Sequence, residues 1–319
     1  MIGRMFGSID LMVRVLALAI LLAFLLPATG EARVHAQNAS NIAIFILFLL
    51  NGLRIDRAEI VRGAANLRFL APLMLWIFGA MALIGWVVSA SLSGLVPPLV
   101  ALGFLFLGTL PSTVQSATSY TMLAGGNAAL SVIAAALVNI AGVFVTAPLF
   151  ALIAGSVQAE LGNEVIMRIG LILILPFLIG QAVQGWFRER IARRKQQIVW
   201  VDRLVIALAV YVAFSGAVEQ DIWDRIQPLT WLLVLAGMAM MLLVGHGGAW
   251  LASGALGLRR ADRIAFLFAG GQKSAAIGVP LGALIFPVEI AGFVLLPLLL
   301  YHLFQLVVAA PLASRLAKG

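Results

Sequence analysis

Lys273 stands between Gln272 and Ser274 inside Ala269 to Pro280, a stretch otherwise made of Ala, Gly, Ile, Val and Pro. A primary ammonium beside an amide and a hydroxyl has three chemistries open to it. It can attract an anion, exchange a proton, or activate a neighbouring hydroxyl. The last is disfavoured, because adjacent residues on a helix point about 100° apart. A second polar group follows Pro111: Ser112, Thr113, Gln115, Ser116 and Thr118. Asn127 and Ser131 come shortly after it. His246 and His302 have no acid nearby in sequence and no metal-ligand spacing, and read as interhelical hydrogen-bonders. There is no HExxH and no Ser/His/Asp arrangement, and the absence of cysteine removes thiolate chemistry. No catalytic residue, metal ligand or cofactor is expected. An intramembrane hydrolase built on Ser274 and Lys273 is the least favoured reading.

The segments that carry these groups are very apolar. The chain of 319 residues is 63% hydrophobic and 11% charged, where a soluble domain is about half apolar and about a quarter charged. Long apolar runs such as Leu16 to Pro27 and Phe69 to Val88 make it an all-α integral membrane protein. Ten spans are expected at 12–28, 39–53, 67–89, 96–122, 127–154, 165–186, 201–217, 227–250, 262–286 and 289–312. With the N-terminus inside, 17 of the 21 Lys and Arg fall in cytoplasmic segments. Only Arg33, Arg168 and Arg225 fall outside, and Lys273 is left in the membrane. The positive-inside rule thus places both termini in the cytoplasm of an inner (plasma) membrane. The outer loops carry Glu160, Glu164, Glu219, Asp221 and Asp224. The net charge of +8 belongs to this topology and not to nucleic-acid binding. The first segment also carries features of a cleaved signal peptide, with a small-x-small site near Val34-His35-Ala36. Its removal would leave nine spans. Arg54 to Glu59 reads as an interfacial amphipathic stretch, and Arg188 to Lys195 as a charged inner loop.

The chain reads as one transporter domain, residues 1–319, with repeats at about 12–154 and 165–312. Gly103-Phe104-Leu105-Phe106 parallels Ala265-Phe266-Leu267-Phe268, and Gln115-Ser116-Ala117 parallels Lys273-Ser274-Ala275. Five spans per copy is an odd number, so the two copies must insert inverted. The fourth and ninth spans are each interrupted, one by Pro111 and hydroxyls, the other by Gly270-Gly271 and Gly278-Val279-Pro280. Irregular backbone at membrane depth needs cover from protein or water. Broken spans at matching places in two halves point to a transporter's binding site.

Pro111-Ser-Thr-Val-Gln-Ser116 with Leu123-Ala-Gly-Gly-Asn127, and Gly271-Gln-Lys-Ser-Ala-Ala-Ile-Gly278, resemble the fourth and ninth spans of the bile acid:sodium symporter superfamily. Phe48 to Arg54 resembles the end of their second span. The similarity covers essentially the whole chain. It is closest to the branch, solute carrier family 10-like, with lysine in the ninth-span crossover. It implies a panel of spans 1, 2, 6 and 7, and a core of spans 3–5 and 8–10. The two broken helices would cross in the core, and transport would run by alternating access.

The chain departs from the sodium-coupled pattern. Those members have glutamate four residues before the ninth-span glutamine, where this chain has Phe268. Their third-span glutamine falls in Leu75-Trp76-Ile77, and a threonine becomes Ala135, although Ser131 is kept. Lys273 takes the place of an asparagine. Its ammonium is expected to replace the sodium ion, binding carbonyls and hydroxyls of Ser112, Thr113, Gln115, Ser116 and Thr118. A buried charge costs about 3 kcal/mol or more even on lenient scales, so its presence calls for a function. The expected solute is a small or amphipathic organic anion. Proton coupling or uncoupled exchange is expected ahead of sodium coupling. The expected binding set is Ser112, Thr113, Gln115, Ser116, Thr118, Asn127, Ser131, Gln272, Lys273 and Ser274. A non-transporting membrane regulator on the same fold is the alternative. Asn51, Gln181, Gln184, Tyr211 and Gln305 read as cleft residues or helix–helix glue.

Overall fold

The computed structural model describes residues 11–54, 57, 66–155, 167–219 and 227–318. Glu160, Glu164, Asp221, Asp224 and most of the Arg54–Glu59 stretch lie outside the described residues. The helices are α1 (Leu11–Leu25), α2 (Gly30–Arg54), α3 (Leu67–Leu92), α4 (Pro98–Thr109), α5 (Val114–Leu123), α6 (Ala128–Ala154), α7 (Leu175–Arg193), α8 (Lys195–Glu219), α9 (Pro228–Ala255), α10 (Arg260–Gly271), α11 (Ala275–Ile285) and α12 (Val288–Leu316). Among the described residues, eight helical segments are long and apolar enough to cross a membrane, α10 with α11 counting as one. The α4–α5 pair, bent by 63°, makes a ninth. These are the expected spans. The first differs: α1 has 15 residues, a rise of about 22 Å, which is short of the full hydrocarbon core.

The chain divides into two compact units. The first holds the described residues of Met1–Arg54, Val165–Arg225 and Val279–Phe293. In it Gln181 of α7 donates to the Gly52 carbonyl of α2 at 2.6 Å, and Gln184 to Leu53 at 3.4 Å. Tyr211 of α8 donates to the Leu26 carbonyl at 2.8 Å. These side chains glue helices together, one of the two roles expected for them. Asn51 accepts from Arg54, which also pairs with Asp202 at 2.7 Å.

The expected panel is α1, α2, α7 and α8, yet residues 279–293, from the end of α11 and the start of α12, join this unit. Small residues explain the difference. A Cβ on Gly292 would lie 2.8 Å from the Ala213 carbonyl oxygen, and one on Gly216 would overlap the Val288 carbonyl. Arg33 then pairs with both Glu219 and Glu289. Close backbone approach and a shared cation hold the turn against α8 and α2.

The second unit holds the described residues of Ile55–Glu164, Ile226–Gly278 and Val294–Gly319. Its α3 and α4 touch at Gly85 and Gly108, where a Cβ on Gly108 would lie 2.7 Å from the Met81 carbonyl oxygen. Phe69 and Phe266 meet edge to face at 5.7 Å, within a buried cluster that includes Leu73, Ile77, Ala249 and Val138. This packing brings the ends of α4 and α10 together.

Candidate functional site

Each break has a local cause. Leu110 precedes Pro111, and the proline ring excludes helical dihedrals from the residue before it. Leu110 is accordingly extended, with φ −74° and ψ 149°, and α4 stops at Thr109. The last carbonyls of a helix have no partner within it and carry the negative end of its dipole. At the second break α10 ends at Gly271, and Gln272 is extended at φ −99° and ψ 147°. Ser274 then starts α11, its hydroxyl accepting from the Ile277 amide at 3.3 Å.

The side chain of Lys273, fully buried, runs to the end of α4. Its ammonium donates to the carbonyls of Leu110 at 2.7 Å, Gly108 at 2.9 Å and Ile77 at 3.3 Å. Ile77 lies in a π-helical turn of α3, Leu75–Ala80, and such turns are frequent at functional sites. An ammonium has three donors, and all three are taken by backbone. Carbonyl ligation was expected, but the carbonyls belong to Ile77, Gly108 and Leu110, and none of the carbonyls or hydroxyls of Ser112, Thr113, Gln115, Ser116 and Thr118 is among them. The reason is geometric: the carbonyls at the helix end point along its axis at the lysine and need a donor more than the hydroxyls do.

The unwound residues of the ninth span are held from α12. Tyr301 donates to the Gly271 carbonyl at 2.6 Å. Gln305 accepts from the Lys273 amide at 2.8 Å and donates to the Lys273 carbonyl at 3.0 Å. The Ser274 amide donates across to the Pro111 carbonyl at 2.9 Å, joining one break to the other. Ser116 donates to the Oε1 of Gln272, and lies 3.3 Å from the Thr113 hydroxyl. Tyr301 and Gln305 are four residues apart on one helix face, a spacing that could have flagged the pair.

Of the expected residues, the structure thus gathers Thr113, Ser116, Gln272, Lys273 and Ser274. Ser112 Oγ, Thr118 Oγ1 and Gln272 Nε2 are buried with no hydrogen-bond partner among the described residues. Gln115 is exposed. Asn127 is engaged elsewhere: it caps α6 through the Leu130 amide and donates to Asp262 at 2.8 Å. Ser131 lies 3.3 Å from the Thr121 hydroxyl. The Lys273 ammonium and the Ser274 hydroxyl engage different partners, so no Ser–Lys pair forms. His246 bonds the Leu242 carbonyl of its own helix at 3.0 Å, where a bond between helices was expected, and His302 lies 3.0 Å from Gln305 within α12.

A multi-pass helical membrane protein with two discontinuous spans meeting backbone to backbone has the build of a secondary transporter. The chain belongs to the SBF-like CPA transporter family (DUF4137), whose model matches residues 10–318. It is 36% identical to the uncharacterized protein PA2026 of Pseudomonas aeruginosa, over 94% of this chain and 90% of that one. It is 32% identical to YfeH of Escherichia coli, which carries the name of a symporter, over 98% of this chain and 94% of that one. Sodium/bile acid cotransporter 7 of Rattus norvegicus is 24% identical over 86% of this chain and 82% of its own. The protein is a membrane transporter of the bile acid:sodium symporter superfamily.

Proposed function

We propose that the protein carries a small or amphipathic organic anion across the inner membrane by alternating access, without the sodium ion of its sodium-coupled relatives. One observation carries this reading: the Lys273 ammonium is bound by three backbone carbonyls at the junction of two broken helices. A tethered cation does there what a bound metal would do, neutralising a helix end and tying two breaks into one joint. The donors nearby favour an anion as solute. The N-termini of α5 and α11 present amides, and Gln272 Nε2 and the Ser112 hydroxyl have no hydrogen-bond partner among the described residues. Thr113, Gln115, Ser116, Thr118 and Ser274 complete the solute-facing set, with Asn127 and Ser131 as its support. The charge asymmetry of the loops supports an orientation with both termini in the cytoplasm.

Uptake of labelled bile acids and keto acids into proteoliposomes tests the reading. Saturable uptake should persist when choline replaces sodium, and Lys273→Met should abolish it while the protein still inserts. Uptake that requires a sodium gradient would overturn it.

A further inference from the structure

Two helices stop at the joint, and their carbonyl ends meet different groups. The end of α4 meets the Lys273 ammonium. The end of α10 meets the Tyr301 hydroxyl, which donates to the Gly271 carbonyl, and the imidazole of His246. A Cβ on Gly271 would fall 2.7 Å from His246 Cγ and Cδ2, so only a glycine admits the ring there. The tautomer follows from the contacts of His246. Its Nδ1 lies 3.0 Å from the Leu242 carbonyl oxygen. A carbonyl oxygen only accepts, so Nδ1 carries the hydrogen and Nε2 of the neutral ring is an acceptor. That Nε2 is buried with no hydrogen-bond partner among the described residues, in a residue 4% exposed.

We propose that His246 Nε2 is a proton-binding site of the joint, a second cation that serves the end of α10 as Lys273 serves the end of α4. This deepens the reading of Lys273 as a built-in cation, and rests on it. The proton passes from hydronium to Nε2 and leaves water behind. Nδ1 stays bonded to Leu242 throughout. The imidazolium stands at the negative end of the α10 dipole, where a protonated histidine is stabilised. Trp76 Nε1 lies beside Gly270, where a Cβ would be 3.2 Å away, and it too is buried without a partner among the described residues. An indole donor and an imidazole acceptor left open at one helix end are groups that water can serve when the joint opens.

The helices around α9 bring few ionisable groups to this ring. On α10, Arg260, Asp262 and Arg263 lie at the far end from Gly271, and Asp262 is engaged there by Asn127 and Arg259. On α3 the one charge is Arg68, at its start. On α12 stand Tyr301 and His302, with Arg315 and Lys318 at its end and Glu289 at its start. The helices α4 and α6 carry none. Lys273, two residues past Gly271, is the charge that counts, and it is of like sign. A proton on His246 and the charged state of Lys273 therefore oppose each other. An anion bound at the joint relieves that opposition. Proton and anion then favour each other's binding, by the same factor in both directions. A monoanion loaded with one proton leaves the net charge of the joint unchanged.

Nitrogen-15 spectra of the full histidine-labelled chain in liposomes test this without any solute. The chain has three histidines, and the ring of interest is the one whose signal vanishes in His246→Gln. It should carry a hydrogen at Nδ1 alone at pH 8, and gain one at Nε2, reversibly, on acidification to pH 5. A hydrogen on Nε2 at pH 8, or a bare Nε2 at pH 5, would overturn the proposal. In Lys273→Met the ratio of protonated to neutral ring, read at one pH within the transition, should rise about tenfold, because a like charge has gone. An unchanged ratio would also overturn it. Should His246→Gln fail to assemble, His35→Gln and His302→Gln assign the third ring by elimination, and Lys273→Gln can stand in for Lys273→Met. Uptake of the labelled bile acids and keto acids then reads the coupling. It should rise with acid outside and lose that dependence in His246→Gln. Equal dependence in the variant, or none in the unsubstituted protein, would count against the site. If none of these acids is carried, or uptake requires sodium, the preceding reading fails and the spectra still decide this one.

Discussion

The Lys273 ammonium lies 2.7 Å from the Leu110 carbonyl oxygen, across 163 residues of sequence. Each group has what the other lacks. Leu110 ends a helix that a proline prevents from continuing, so its carbonyl has no amide to meet. Lys273 carries a charge that the membrane interior would otherwise penalise. The pair accounts for a charge with no carboxylate beside it.

Removing the lysine should therefore open a place for a free cation. Lys273→Ala leaves three buried carbonyls without a charged donor, each such bond being worth about 1.5–3 kcal/mol. Thermal unfolding in detergent should fall sharply. Sodium or methylammonium chloride at tens of millimolar should recover part of the loss in the variant and do nothing for the unsubstituted protein. Equal salt effects on both would show that the carbonyls do not form a cation seat. Lys273→Arg should not rescue, because a planar guanidinium is larger than the fully buried site.

Gln305 should matter nearly as much as the lysine. Gln305→Leu orphans the Lys273 amide and carbonyl together, at about 1–3 kcal/mol for each unsatisfied group. Gln305→Glu keeps the acceptor and loses the donor, so it should fall between leucine and glutamine in melting temperature at neutral pH. Tyr301→Phe, which frees only the Gly271 carbonyl, should cost about 1 kcal/mol. A ranking with Tyr301→Phe worst would contradict the two-bond bracket.

How far the sequence showed this depends on what carries each contact. The apolar runs, the break residues Pro111 and Gly270-Gly271, and the isolated charge of Lys273 all have side-chain signatures, and the spans and the site centre were legible from them. The partners of the ammonium were not. Ile77, Gly108 and Leu110 contribute only carbonyl oxygens, which every residue has. The π-helical turn at Leu75–Ala80 has no sequence mark of its own, although it falls where the symporter pattern has a glutamine. Side chains drew attention to Ser112 and Thr118, whereas the helix end itself had the stronger need. The passage of residues 279–293 into the first unit was hidden for a related reason: it depends on where Gly216 and Gly292 fall on their helices, which only packing reveals.

The contact that brings α3 to the end of α4 allows no side chain. A methyl on Gly108 would meet the Met81 carbonyl oxygen at 2.7 Å and the Gly85 Cα at 3.0 Å. Both neighbours are backbone, so a helix must shift. Gly108→Ala should cost about 1–3 kcal/mol as overpacking, and it should lower transport further than stability, because the shift moves a carbonyl that holds Lys273. Normal uptake at reduced melting temperature would separate the helix contact from the site.

Asn127 offers a way to tell support from solute contact. Its Oδ1 caps α6 through the Leu130 amide at 3.1 Å, and its Nδ2 donates to Asp262 at 2.8 Å. Asn127→Ala removes both, and loss of a cap alone costs about 1 kcal/mol. Asn127→Asp keeps a cap, with a charge suited to a helix N-terminus, but sets two carboxylates against each other. Exchanging the partners, Asn127→Asp with Asp262→Asn, restores one donor between two acceptors and keeps the cap. The double variant should therefore regain most of the stability lost by Asn127→Asp, a coupling that contacting residues show and distant ones do not. If Asn127 is support, solute selectivity in the double variant should match that of the unsubstituted protein. A changed order of preference among organic anions, with stability restored, would instead place Asn127 in contact with the solute.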